Sequence, residues 1–152
     1  MTEVWFYHLE TQGLDAVLPM LLQRSLDRGW RVAVQATSVE RLQALDSVLW
    51  TYDEASFLPH AMKQDGNAAL QPILLTDDDA NPNGAALRIF VDRAAVVPAL
   101  EGQVYERAVL MFDGRDDDAV ADARRQWSAL KSGGHAVTYW QQNDDGRWEK
   151  KA

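Results

Sequence analysis

Asp79, Asn81, Asn83 and Gly84 stand in the order D-x-N-x-N-G that opens a calcium loop. The twelfth position of such a loop needs a bidentate acid, and here it falls on Phe90, inside a stretch that reads as a strand. The run DDDANPNG, residues 77–84, is therefore read as a solvated turn. Asp116, Asp117 and Asp118 form a second acidic cluster, but they open an apparent helix, where the dipole favours carboxylates. His8, His60 and His135 are too far apart in sequence to pair by spacing as zinc ligands or as a nucleophile and its base, and no GxSxG elbow is present. The chain has no Cys, which excludes disulfides, thiolate zinc sites and a Cys nucleophile. After the first apparent strand, HLETQGLD offers one glycine and no lysine. A phosphate loop needs GxxxxGK followed by Ser or Thr, and a dinucleotide fold needs GxGxxG. No catalytic residue, cofactor or metal is expected.

Other residues suggest recognition. On a wheel at 100° per residue, Ala119, Ala123, Gln126 and Leu130 share the face of the 116–132 helix that should meet a sheet. Val120 and Trp127 lie at the edge of that stripe, and Arg124 and Lys131 lie just beyond Trp127 on the solvent side. One reading is a core Trp with solvated neighbours. The other is an apolar ledge between two cations, suited to a ligand that is both apolar and anionic, such as the C-terminus of a peptide. Trp50 follows a helix whose apolar stripe is already supplied by Leu45, Val48 and Leu49, so it either caps the core or faces a partner. Phe57, Leu58 and Pro59 form an apolar run in a loop, held in shape by the proline, which suits an interface anchor or a loop tucked on itself.

The elements that must position these residues follow from periodicity and punctuation. Strands are read at 3–9, 30–36, 72–76, 86–92, 107–113 and 135–141. Helices are read at 14–28, with Pro19 an awkward interior residue, from Thr37 or Ser38 to about Trp50, and at 116–132, with a short one within 93–106. Residues 61–71 read as loop. The alternation implies an α/β fold, a three-layer sandwich with a mostly parallel sheet and helices on both faces, nucleotide-binding-like in layout but lacking a phosphate loop. The 152 residues suit a single domain with its core at about 3–141 and a flexible tail at 142–152. The apolar share of 47% and charged share of 25% are those of a globular protein. With a net charge of −8, direct DNA binding is not expected, which leaves room only for a local basic patch. No signal peptide or run of about 20 apolar residues is present, so a cytoplasmic protein without a membrane span is expected.

At these residues the chain resembles the chi subunit of bacterial DNA polymerase III. The resemblance is carried by W-F-Y (Trp5 to Tyr7), L-D-x-x-L-W (Leu45 to Trp50), S-F-L-P-H (Ser56 to His60) and A-R-x-x-W (Ala123 to Trp127). It is weak between about 61 and 106. It implies a non-catalytic accessory subunit of the clamp-loader assembly. Such a subunit grips the acidic, phenylalanine-ended C-terminal tail of the single-stranded-DNA-binding protein and also binds the psi subunit. Carried over, Trp50, Val120, Arg124, Trp127 and Lys131 would take the tail, and Phe57, Leu58, Pro59 and His60 would face psi. The family usually has Tyr at the position of Trp127. A further basic residue of the family falls on Val120 or Ser128 here, which Arg125 and Lys131 would offset. The alternatives are a degenerate nucleotide-binding domain and a stand-alone adaptor that partners a helicase.

Overall fold

The computed structural model describes residues 2–51 and 58–152. Its strands are β1 (Glu3–Leu9), β2 (Val32–Gln35), β3 (His60–Met62), β4 (Ile73–Thr76), β5 (Leu87–Phe90), β6 (Arg107–Asp113), β7 (Ala136–Gln142) and β8 (Trp148–Lys150). They form one sheet in the order β3-β4-β2-β5-β6-β1-β7-β8. Every pairing is parallel except that of β8, which runs antiparallel to β7. The helices are α1 (Leu14–Asp27), α2 (Val39–Thr51), α3 (Val96–Leu100) and α4 (Asp117–Ser132).

The sheet separates two cores. On the first face, α1 and α2 bury Leu18, Leu22, Leu42 and Leu45 against Val32, Val34, Ile89 and Val109. On the second face, α3 and α4 bury Val96, Ala99, Ala123 and Leu130 against Phe6, Phe90, Ala108 and Leu110. β1 is a central strand, so both its faces are covered. Val4 and Phe6 point to the second core, while Trp5 and Tyr7 border the first.

Local chemistry fixes the helix ends. The Ser38 hydroxyl accepts from the backbone N–H of Arg41 ahead of α2, and the Asp116 carboxylate accepts from those of Asp118 and Ala119 ahead of α4. α1 and α4 both close on a glycine at positive φ, Gly29 at 82° and Gly134 at 84°. In each the following N–H reaches back over the last turn, Trp30 to the Ser25 carbonyl and His135 to that of Leu130, both at 3.0 Å. α1 runs unbroken through the buried Pro19.

Two segments differ from their sequence reading. Within the expected loop 61–71 lies the end of β3, which is three residues long and forms the sheet edge beside β4. In place of a loose tail, residues 148–150 pair with Gln142, Gln141 and Trp140, and the Trp148 ring stacks on Tyr7 with centroids 4.7 Å apart.

The loop after β1 explains the absent phosphate signature in positive terms. The backbone N–H groups of Glu10, Thr11 and Gln12 converge on one acceptor, the Oε1 of buried Gln142, at 3.2–3.3 Å. Three amides turned to one point make an anion cradle, and here the chain's own carboxamide occupies it.

Candidate functional site

α4 carries the candidate ledge. Ala119, Ala123 and Leu130 are buried, as the wheel requires, and Gln126 ties the helix to α3 by accepting from the Val96 N–H at 2.9 Å. Trp127 is half-buried. It meets Phe6 edge-on at 5.2 Å and Tyr139 at 5.7 Å between ring centroids, so it belongs to the rim of the second core and still offers an edge to solvent. The Lys131 ammonium lies 5.4 Å from its ring centroid. Arg124 is exposed and has no carboxylate partner among the described residues, whereas Arg125 reaches Asp122 at 3.5 Å. Val120 is half-buried beside them.

Sequence reasoning missed two members of this surface, because both come from strands. The Tyr139 hydroxyl lies 2.5 Å from His8 Nδ1, and His8 Nε2 lies 2.6 Å from Glu10 Oε1. Burial pushes the Tyr139 phenol above its ordinary value, against the pull of the Arg124 charge. Behind this group a side chain at Gly114 would displace the His8 ring, since a Cβ there would come within 1.9 Å of His8 Nε2.

Trp50 does not join the α4 group. It ends α2 on the first face of the sheet, 54% exposed, with its ring 4.8 Å from that of His60 in β3. Five strand intervals separate β3 from β1, on which Trp127 packs, so the two tryptophans sit on opposite faces and roughly 24 Å apart along the sheet. The physical reason is the direction of the crossovers: α2 leads outward to the β3 edge, and α4 leads the other way, to β7. Trp50 instead groups with the second candidate set. Leu58 is fully buried, Pro59 is half-buried, and His60 is held from both ring nitrogens, by the Leu58 carbonyl at 2.6 Å and Asp46 Oδ1 at 3.0 Å. Phe57 lies outside the described residues.

The acidic turn is bound to the protein itself. Asn81 exchanges hydrogen bonds with the backbone of Ala85, and Asn83 donates to the carbonyls of Val32 and Gln71. Asp79 accepts from Gln35. Beneath the turn lies Arg88, fully buried and, among the described residues, without a carboxylate partner, donating to Gln35 Oε1, the Asp78 and Ala80 carbonyls and the Tyr105 hydroxyl. Among the described residues no helix is long and apolar enough to cross a membrane.

A family model described as DNA polymerase III chi subunit matches residues 1–138, ending inside β7. A protein of Rickettsia prowazekii (strain Madrid E), named probable DNA polymerase III subunit chi, is 26% identical over 117 residues, spanning 74% of this chain and 71% of that protein.

Proposed function

The chain belongs to the DNA polymerase III chi subunit family, and from that premise we propose that it serves DNA replication as a non-catalytic adaptor between two protein partners. One is the C-terminal tail of the single-stranded-DNA-binding protein, taken on the α4 ledge. The other is a psi subunit, met at exposed Trp50 and half-buried Pro59 together with Phe57, over the buried Leu58 and His60 that support them. The observation that carries this reading is the ledge itself. Arg124 and Lys131 flank the open edge of Trp127, with Val120 and Tyr139 adjoining, so a terminal carboxylate can pair with guanidinium while its aromatic side chain meets aromatic rings. The separation of Trp50 from this ledge supports two surfaces with two partners. The amides of residues 10–12, turned inward to Gln142, disfavour phosphate at the usual nucleotide position.

The test is titration of a fluorescent peptide ending in acidic residues, Pro and Phe. Saturable binding that needs the final Phe and weakens as salt rises is expected, because the cations act against a net charge of −8. Arg124→Ala should abolish this binding with the fold intact by circular dichroism, and should raise the Tyr139 pKa by removing the nearby positive charge. Normal tail binding by Arg124→Ala would sink the ledge assignment.

A further inference from the structure

A cavity of about 410 Å³ opens on the first face of the sheet, between the second half of α1 and the starts of β1, β5 and β6. It is on the opposite face from the α4 ledge and independent of it. Trp5, Tyr7 and Trp30 wall it, and Arg24, Arg28 and Arg107 reach into it. Trp140 packs on Trp5 at 5.4 Å and Trp148 stacks on Tyr7, so four of the chain's six tryptophans gather here. The guanidinium of Arg107 lies 3.6 Å from the Trp5 ring centroid and 5.7 Å from that of Trp30, and Arg28 lies 4.4 Å from Trp30 on its own account.

These cations have no ion-pair partner among the described residues, and the Glu3 carboxylate beside Arg107 accepts instead from the Trp5 indole at 2.7 Å. The only acid lining the cavity, Asp27, accepts from Gln23 at 3.0 Å. Arg107 Nε is buried with no acceptor among the described residues. A buried donor left unpaired is rare and calls for a partner the protein does not supply. The dipole at the end of α1 accounts for cations at Arg24 and Arg28. It does not account for Arg107, which begins β6 and is drawn over the same rings.

We propose that this cavity binds a phosphomonoester carried on an aromatic base: a nucleoside monophosphate, free or as the phosphorylated end of a single strand. Three guanidiniums against one carboxylate match the roughly −1.5 to −2 charge of a phosphomonoester and offer it several donor forks. The indole and phenol rings, with Leu21 and Val109, give a planar base its apolar contact. The volume is within the range of small-ligand sites. A net charge of −8 repels the length of a polyanion, so only an end is admitted.

The experiment follows tryptophan fluorescence and calorimetric heat on adding adenosine 5′-monophosphate, adenosine, inorganic phosphate, and a short oligonucleotide with and without a 5′-phosphate. Saturable binding of the mononucleotide or of the phosphorylated end, and not of adenosine or the unphosphorylated strand, is expected. Which of the two binds tighter identifies the source. Arg28→Gln, at an exposed position that does not hold the fold, should weaken it roughly tenfold or more, and Arg124→Ala should leave it unchanged. The phenylalanine-ended peptide should still bind Arg28→Gln normally, which keeps failure here distinct from failure of the α4 reading. Absence of saturable phosphate-dependent binding up to millimolar ligand, or binding indifferent to Arg28→Gln, overturns the proposal. So does peptide binding that is lost in Arg28→Gln, since the cavity would then be a peptide site.

Discussion

Single residues show how burial changes the meaning of a side chain. In ALRIFVD, residues 86–92, Arg88 reads as the polar position of a strand, yet it is the largest fully buried side chain and holds the acidic turn from below. Nothing in one sequence distinguishes a solvated strand arginine from one whose five donors meet carbonyls, a carboxamide and a hydroxyl, because those acceptors come from three separate segments. Replacing Arg88 with Met should strip donors from buried oxygens and cost on the order of 3 kcal/mol of stability, measured by urea denaturation. Trp127 was open between core and ligand surface on the sequence, and in the structure it is half-buried, edge-on to Phe6 inside and beside the Lys131 ammonium outside. The cluster of Trp5, Trp30, Trp140 and Trp148 was illegible for another reason. Its members are spaced across the whole chain, and they meet only through the parallel pairing of β1 with β7, the antiparallel return of β8 and the Arg107 guanidinium lying over both Trp5 and Trp30.

At the scale of elements, long periodic segments were legible and short edge segments were not. β1 and β6 span the segments read as strands, because central strands covered on both faces carry long apolar runs, Val4 to Tyr7 in one and Ala108 to Phe112 in the other. β3 and β8 are three residues each at the two rims of the sheet, and their identity as strands comes from a neighbour rather than from their own composition. The 10–12 loop is a third case. The lack of glycine and lysine signalled that no phosphate loop was there, but the group that fills the cradle comes from β7, some 130 residues away. Gln142→Ala should leave three amides without an acceptor and lower stability by roughly 1–3 kcal/mol. Phosphate or sulfate should then raise the melting temperature of the variant more than that of the native protein, as the vacated cradle takes an anion. Equal shifts in the two proteins would show that the amides do not form such a cradle.

For the molecule as a whole, the sheet acts as a partition: each face has its own core, its own aromatic surface and its own cations, within a chain of net charge −8. The family match stops at residue 138, but the structure continues, and β8 with Trp148 covers part of the first face. A chain ending at Asn143 should therefore be less stable by about 2 kcal/mol through loss of the Trp148–Tyr7 contact and the β8 pairing. An unchanged denaturation midpoint would mean that the nine residues 144–152 add nothing to the fold. The strand order has a consequence in time as well as space. β1 is made before every other strand, but both its neighbours come late, β6 about a hundred residues later and β7 later still. At roughly 5–20 residues per second, the strand EVWFYHL waits several seconds on the ribosome with both edges unpaired. The centre of the sheet can close only once synthesis is nearly complete, and during that interval the most aromatic strand of the protein is the segment most in need of a chaperone.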